Sequence, residues 1–129
     1  MQIDCIVAYY ICIAFGKTGC DVLFYIKSFG MSTKIQVIAD INSHLQKSSK
    51  HYYSDFYIGI TNDVERRLFN EHNVSKKGAW WIYREADSKD IAQAVEEYFL
   101  EKGMQGDTGG GNEDSVYVYC YEITNNTVE

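Results

Sequence analysis

The sequence predicts a small α+β fold, in which helices flank a small, mostly antiparallel sheet. Three observations favour this fold class. The chain has 129 residues, a length that suits one ordinary domain. Beyond residue 30, stretches with helical spacing of apolar residues alternate with short stretches rich in tyrosine, isoleucine and valine. Hydrophobic residues make up 46% and charged residues 23%, a balance that is typical of globular proteins and argues against intrinsic disorder.

Six elements are predicted after residue 30, in the order helix, strand, helix, strand, helix, strand. Ser32 and Thr33 are N-cap candidates for the first helix, Asp87 or Ser88 caps the third, and an Asx cap within Asn62–Glu65 begins the second. Gly103 is a suitable C-terminal stop for the third helix, and the glycine-rich stretch that follows predicts a mobile loop. The predicted bounds are 33–47, 52–61, 62–73, 79–84, 88–102 and 115–123.

The chain is predicted to contain two units, an N-terminal extension at 1–30 and an α+β domain at 31–129. In the extension, two apolar, β-rich runs flank a turn bounded by glycines, which indicates a β-hairpin. The longer run, Ile3–Phe15, is too short to span a bilayer and has no basic segment before it. We therefore expect a cytoplasmic protein with no membrane partner.

The chemically informative segment is Phe56–Leu68, where a strand ends in Tyr-Ile-Gly and leads through a polar turn into a helix. Gly59 at the strand end lets a phosphate backbone approach closely. The hydroxyl of Tyr57 can transfer a proton if its neighbours lower its ordinary pKa of about 10. Arg67 offers a bidentate guanidinium that can neutralise charge developing on phosphoryl oxygens.

This segment resembles the second half of the GIY-YIG nuclease motif, in which Tyr-Ile-Gly-x-Thr precedes a helix that carries an arginine. The resemblance implies Mg²⁺-dependent hydrolysis of phosphodiester bonds in DNA. It implies catalytic roles for Tyr57, for Arg67 and for His72, although α-helical spacing puts Glu71, and not His72, one turn after Arg67. The expected substrate-binding residues are Gly59, Thr61, Arg66, Trp80, Lys76 and Lys77.

The metal ligand of that family is a glutamate on the later helix, so the resemblance points to Glu96 or Glu97 as the Mg²⁺ ligand. At 100° per residue, Glu96 borders the apolar stripe of this helix, whereas Glu97 faces away from it. Only a carboxylate at that border can point into a site formed with the sheet. We therefore expect Glu96 to bind the metal.

The family's first strand, which carries Gly-Ile-Tyr, has no counterpart in the window just before Tyr57 where the family places it. The segment 8–11, Ala-Tyr-Tyr-Ile, is superficially similar to it but would need a long insertion before Tyr57. The last predicted strand alternates Tyr117, Tyr119 and Tyr121 with smaller residues, so its two faces differ. That strand could fill the vacant sheet position from the other end of the chain.

Charge gives partial support to a nucleic-acid partner. The net charge is −6, yet residues 47–84 hold seven Lys and Arg against four Asp and Glu, while 85–129 hold two against eleven. The segment with the motif is thus the basic part, as phosphate binding requires. The alternative is a degenerate, non-catalytic module that binds protein or nucleic acid through Trp80 or Trp81 and the last strand, with a homodimer as one such assembly.

Overall fold

A computed structural model gives the structure of residues 33–107 and 111–129. The predicted extension at 1–30 lies outside the described residues, and its status as a separate unit stays a prediction. The elements follow in the predicted order: α1 (Lys34–Gln46), β1 (Phe56–Thr61), a π-helix (Glu65–Glu71), β2 (Trp81–Glu85), α2 (Lys89–Glu101) and β3 (Tyr117–Glu122). Within these two ranges, no helix is long and apolar enough to cross a membrane.

The three strands form one antiparallel sheet in the order β1-β3-β2. The last strand therefore lies in the centre, and its Tyr119 is opposite Gly59 of β1 on one side and Tyr83 of β2 on the other. This arrangement confirms the predicted α+β class with a small antiparallel sheet. It also puts the strand with alternating tyrosines at the position where it can contact both neighbours.

Helices α1 and α2 cover one face of this sheet and form the main core with it. Alternate strand residues point into this core because successive side chains of a strand lie on opposite faces. The central members of the core are Ile41, Phe56, Ile58, Val95, Phe99, Val118 and Cys120, all of them buried.

The opposite face carries a second cluster, built from Tyr57, Leu68, Val74, Tyr119 and Tyr121. We call this side the tyrosine face. The π-helix packs on it through Leu68, which is fully buried. The alternation of tyrosine with smaller residues near the C-terminal end thus produces two different faces, as the sequence predicts.

Each α-helix begins at one of its two candidate caps, α1 at Thr33 and α2 at Ser88. The side chain of Thr33 accepts a hydrogen bond from the backbone N–H of Gln36, and that of Ser88 accepts one from Ile91, each at 3.2 Å. Gly103 follows α2 with a φ of 109°, a left-handed conformation that glycine adopts without a steric penalty.

The start of β1 and the beginning of the glycine-rich segment differ from the predictions. The strand predicted from residue 52 begins at Phe56, because a 3₁₀ turn at Tyr53–Asp55 occupies the start of that segment. The glycine-rich segment is not a free loop at its start, since Gln105 exchanges backbone hydrogen bonds of 2.9 and 3.0 Å with the outer edge of β1. A Cβ at Gly106 would lie 2.6 Å from the carbonyl oxygen of Ile58, so glycine allows this close approach.

Candidate functional site

The helix that follows β1 is wound as a π-helix, and this winding decides which residue lies one turn after Arg67. The backbone N–H of His72 donates to the carbonyl of Arg67, five residues earlier, at 3.0 Å. An α-helix would place Glu71 there instead. Single π-helical turns are rare and occur frequently at functional sites. The helix ends at Glu71, earlier than predicted. Its N-cap residue, Val64, makes no side-chain cap, and the side chain of Asp63 accepts a hydrogen bond of 3.1 Å from the backbone N–H of Arg66.

Arg67, Tyr119 and His72 form a hydrogen-bonded centre on the tyrosine face. The Nε–H of Arg67 donates to the hydroxyl oxygen of Tyr119 at 3.3 Å, and that hydroxyl lies 2.9 Å from Nε2 of His72. The other ring nitrogen of His72, Nδ1, lies 2.6 Å from the carbonyl oxygen of Val128. Because a carbonyl only accepts, Nδ1 carries the proton, so Nε2 is the acceptor and the Tyr119 hydroxyl donates to it.

Burial and charge set the protonation states in this centre. Burial lowers the pKa of His72, with a smaller lowering by the Arg67 charge, so the imidazole is neutral at neutral pH. Burial raises the pKa of Tyr119, and its hydrogen bond from Arg67 works in the opposite direction. The hydrogen bond to Glu71 raises the pKa of Arg67. The resting centre is therefore a neutral phenol between a neutral imidazole and a guanidinium cation.

Gly59 makes room for the ring of Tyr119. A Cβ built on Gly59 would lie 2.4 Å from the Tyr119 hydroxyl oxygen and 2.5 Å from the carbon that bears it, distances that no real structure tolerates. Gly59 is predicted to let a substrate phosphate approach, whereas in the structure the ring of Tyr119 occupies the space beside it. Thr61, also predicted to bind substrate, is buried and hydrogen-bonds the backbone of Asp63, so it stabilises the turn into the π-helix.

Tyr57 lies beside this centre as one of a row of packed rings. Its ring centroid is 4.8 Å from that of His72, 5.3 Å from that of Tyr121 and 6.4 Å from that of Tyr119. Burial raises the pKa of Tyr57, and the Arg67 charge lowers it. The structure thus brings together the three residues Tyr57, Arg67 and His72 for which catalytic roles were expected.

Glu96 is buried with 3% of its surface exposed, whereas Glu97 is exposed, which confirms the helical geometry used to separate them. Burial, together with the charges of Glu97 and Asp107, raises the pKa of Glu96 to about 7, while a backbone hydrogen bond from Ile60 acts in the opposite direction. The Glu96 carboxylate in turn raises the pKa of Tyr57. It therefore belongs to the same electrostatic environment as the tyrosines.

Glu96 and Asp107 are the two carboxylates that could take part in holding the Mg²⁺ that the motif implies. Mg²⁺ is commonly held by one or two carboxylates and keeps several waters. The charge of Asp107 raises the pKa of Glu96, so a bound cation would favour the ionised form of Glu96. Over residues 33–107 and 111–129, no group of three or more His, Cys, Asp or Glu side chains could hold a metal.

Several predicted substrate-binding residues lie apart from this centre. Trp80 packs against the main core, with its ring stacked on His44 at 4.7 Å and its indole N–H donating to the carbonyl of His44 at 3.1 Å. Trp81, the next residue, packs on the tyrosine face instead. Trp80 is therefore on the side of the sheet away from Arg67. Lys76 pairs with Glu65 and Lys77 is exposed in the turn beyond the π-helix.

Arg66 lies next to the centre and shares an anionic partner with it. Glu71 forms ion pairs with both Arg66 and Arg67. The hydrogen bond from Arg67 lowers the pKa of Glu71, so this carboxylate is charged at neutral pH. An anion already lies at the place where two guanidinium groups converge.

Two residues of the centre were not identified individually from the sequence. Tyr119 could be identified only as one of three alternating tyrosines. Which of the three contacts Arg67 depends on the strand register, and the sequence does not specify that register. Val128, whose carbonyl fixes the tautomer of His72, has no sequence signal at all.

Comparison of this chain with protein-family models, with curated proteins and with solved structures gives no match. A fold alone does not define an activity. Function must therefore be inferred from the residues of the site and from their chemistry.

Proposed function

We propose that this protein is a Mg²⁺-dependent endonuclease that hydrolyses phosphodiester bonds in DNA. The observation that carries the proposal is the Arg67–Tyr119–His72 centre, in which a guanidinium cation and an imidazole acceptor share one phenol. The resemblance of Tyr57–Arg67 to the GIY-YIG motif supports the same activity.

Arg67 is the group that receives the scissile phosphate in this proposal. Its side chain is 38% exposed, and its Nη1 forms an ion pair with the carboxylate of Glu71. A phosphate that displaces Glu71 replaces one anion with another, so the guanidinium is never left without a partner. The planar fork of arginine then binds two phosphoryl oxygens and stabilises the charge that develops on them.

Tyr119 and His72 form the route by which the attacking water loses a proton. The water proton moves to the Tyr119 oxygen while the hydroxyl proton of Tyr119 moves to Nε2 of His72, which has a free electron pair. The water oxygen bonds to phosphorus, and the bond to the leaving oxygen breaks. The leaving oxygen keeps the bonding electrons and takes a proton from solvent. Arg67 stabilises the negative charge that develops on the Tyr119 oxygen during this transfer.

Glu96, with Asp107 beside it, is the proposed Mg²⁺ ligand. The ion would polarise the scissile phosphate and offset its charge. Its binding requires Glu96 to be ionised, and the raised pKa of about 7 makes the ionised fraction sensitive to pH near neutrality.

Binding without cleavage is the second candidate function. The observation that favours it is the burial of the centre, since Tyr119 is 1% and Glu96 3% exposed. A phenol covered in this way needs a movement of Arg67 or of its neighbours before water reaches it. A degenerate module would keep the basic surface of Arg66 and Arg67 and bind nucleic acid through it.

Nicking of supercoiled plasmid with Mg²⁺ or Mn²⁺, and with a chelator as blank, tests the proposal. We expect Arg67→Ala to lower the nicking rate by about 10²- to 10³-fold, the usual loss for a group that stabilises developing charge. Tyr119→Phe removes only the hydroxyl and should also abolish most activity. Arg84→Ala is the matched control, because Arg84 pairs with Asp40 on the helix-covered face of the sheet.

DNA binding, measured by fluorescence anisotropy on the same variants, separates the two candidates. An active wild type that loses nicking in Arg67→Ala supports the endonuclease. A wild type that binds DNA but nicks none of several DNA forms at low salt contradicts it and favours the binding module. A wild type that does neither overturns both candidates.

A further inference from the structure

A cleft of about 530 Å³ opens beside the Arg67–Tyr119 centre, and the proposed function makes no use of it. Its lining combines aromatic rings with polar and charged side chains from the turn after β1 and from the π-helix. The aromatic members are Phe69, Trp81, Tyr83 and Tyr117. Its volume is within the range of small-molecule binding sites, which is about 300–1,000 Å³.

Trp81, Tyr83 and Tyr117 form what we call the aromatic corner of this cleft. The rings of Trp81 and Tyr83 are almost parallel, with centroids 6.4 Å apart and an interplanar angle of 11°. The ring of Tyr117 stands at 69° to that of Tyr83, at 6.2 Å. The corner therefore has two walls at a steep angle, and a flat ligand can stack on one while its edge meets the other.

Tyr83 is the exposed member of this corner, and Trp81 is its anchored member. Tyr83 is 42% exposed and is one of four large hydrophobic side chains that are exposed among the described residues. Trp81 is partly buried and meets the ring of Phe69 edge to face at 5.0 Å. The exposed ring of Tyr83 thus lies beside a tryptophan that is itself held by Phe69. Such a preformed surface loses little side-chain entropy when a ligand stacks on it.

The charges in the cleft distinguish it from the phosphate side of the site. Asp63 and Glu65 contribute carboxylates to the lining, where Glu65 is paired with Lys76 and Asp63 with Arg66. Lys76 is the one cationic side chain of the lining, so the cleft offers a phosphate no unpaired cation. The carboxylate oxygens suit a neutral ligand whose edge donates N–H hydrogen bonds, as the amino and imino groups of nucleobases do.

The aromatic corner lies next to Tyr119, on β3 itself and on the neighbouring strand β2. Tyr83 is the direct cross-strand partner of Tyr119, and Tyr117 is two residues before Tyr119 on the same strand. Directly opposed residues of an antiparallel pair have Cβ atoms about 4.5–5.5 Å apart. A ligand that reaches from Arg67 into the cleft therefore needs to extend over only one neighbouring side chain.

We propose that the aromatic corner is the binding subsite for one unpaired nucleobase of the nucleic acid whose phosphate Arg67 receives. This inference rests on the proposed function and adds a substrate class to it. A base inside a duplex is paired and stacked, so only a single-stranded or extruded nucleotide can enter the cleft. The substrate is then single-stranded DNA, or DNA with unpaired nucleotides at the cleavage position.

Anisotropy titrations with a labelled single-stranded oligonucleotide, and with a blunt duplex of the same sequence, test this inference. The variants are Tyr83→Ala, Tyr83→Phe, Arg67→Ala and a control, Tyr52→Ala, which truncates a tyrosine that is 72% exposed and outside the cleft. We expect Tyr83→Ala to weaken single-strand binding by about 5- to 150-fold, the effect of losing one stacked base. Duplex binding should stay unchanged, and Tyr83→Phe should retain wild-type binding because it keeps the ring.

The possible failures are distinguishable. If Arg67→Ala weakens binding and Tyr83→Ala does not, the subsite is overturned while the phosphate site survives. If Tyr83→Phe is as weak as Tyr83→Ala, the hydroxyl and not the ring makes the contact, and stacking is overturned. If the wild type binds neither oligonucleotide, both the subsite and the proposed function are overturned.

Discussion

Replacement of Glu96 by glutamine tests the buried carboxylate directly, because the structure predicts the size and the pH range of the effect. The folded protein raises the pKa of this carboxyl from 4.5 to about 7, chiefly through burial. Below pH 4.5 the group is protonated in both the folded and the unfolded chain. Between 4.5 and about 7 the folded chain holds a proton that the unfolded chain has released, so stability falls as the pH rises.

The magnitude follows from the same two pKa values. A change of one pKa unit corresponds to about 1.4 kcal/mol, so ionisation of Glu96 should cost the folded state about 3 kcal/mol above pH 7. Glutamine resembles the protonated carboxyl in shape and does not ionise. Glu96→Gln should therefore match the wild type near pH 4.5 and exceed its free energy of unfolding by about 3 kcal/mol near pH 8.

Urea unfolding at the two pH values, with and without millimolar Mg²⁺, is the assay. Glu101→Gln is the matched control, since it removes one charge from an exposed position on the same helix. If Glu96 binds Mg²⁺, the ion should restore part of the lost stability to the wild type near pH 8 and none to Glu96→Gln. A stability difference that is equal at both pH values would refute the reasoning about burial. A pH effect without a Mg²⁺ effect would remove the metal role alone.

Two further predictions concern the hydrogen-bonded centre. Gly59→Ala should destabilise the protein by about 1–3 kcal/mol, because its Cβ overlaps the ring of Tyr119; thermal unfolding that matches the wild type would contradict this contact. Glu71→Gln should tighten DNA binding severalfold more than Glu101→Gln does, because it frees Arg67 from an anion that competes with phosphate. Equal anisotropy titrations for these two charge-matched variants would show that Glu71 does not compete.

Local signals in the sequence predicted most of the fold. Side-chain caps and a C-terminal glycine fixed the ends of the α-helices to within a residue or two, since these devices act within one turn. The period-2 alternation of 115–123 identified the two faces of β3. The last strand could be suggested only as a filler of the vacant sheet position, and its central place could not be predicted, because it depends on pairing with residues about sixty positions earlier. Alternation specifies which side chains share a face and does not specify which strands become neighbours.

The winding of the helix that carries Arg67 could not be predicted in the same way. Val64, Leu68 and His72 have the spacing of an α-helix, and nothing in that spacing favours five-residue hydrogen bonds. In the structure, His72 is held from outside the helix, by Tyr119 and by the carbonyl of Val128. The π-helical winding thus occurs together with contacts to His72 from the last strand and from the residues beyond it. The local sequence indicates neither.

The pairing of Gly59 with Tyr119 connects the register of the sheet to the chemistry of the site. A shift of β3 by two residues along β1 would keep every side chain on its own face, so hydrophobic patterning alone does not exclude it. In the observed register Tyr121 and Tyr117 are already opposite Tyr57 and Thr61, so a shift by two residues would only change which tyrosine is opposite Gly59. The observed register is the one in which the Tyr119 hydroxyl reaches both Arg67 and His72. The alternating tyrosines thus leave the strand alignment open, and in the observed alignment the space beside Gly59 holds the ring that joins Arg67 to His72.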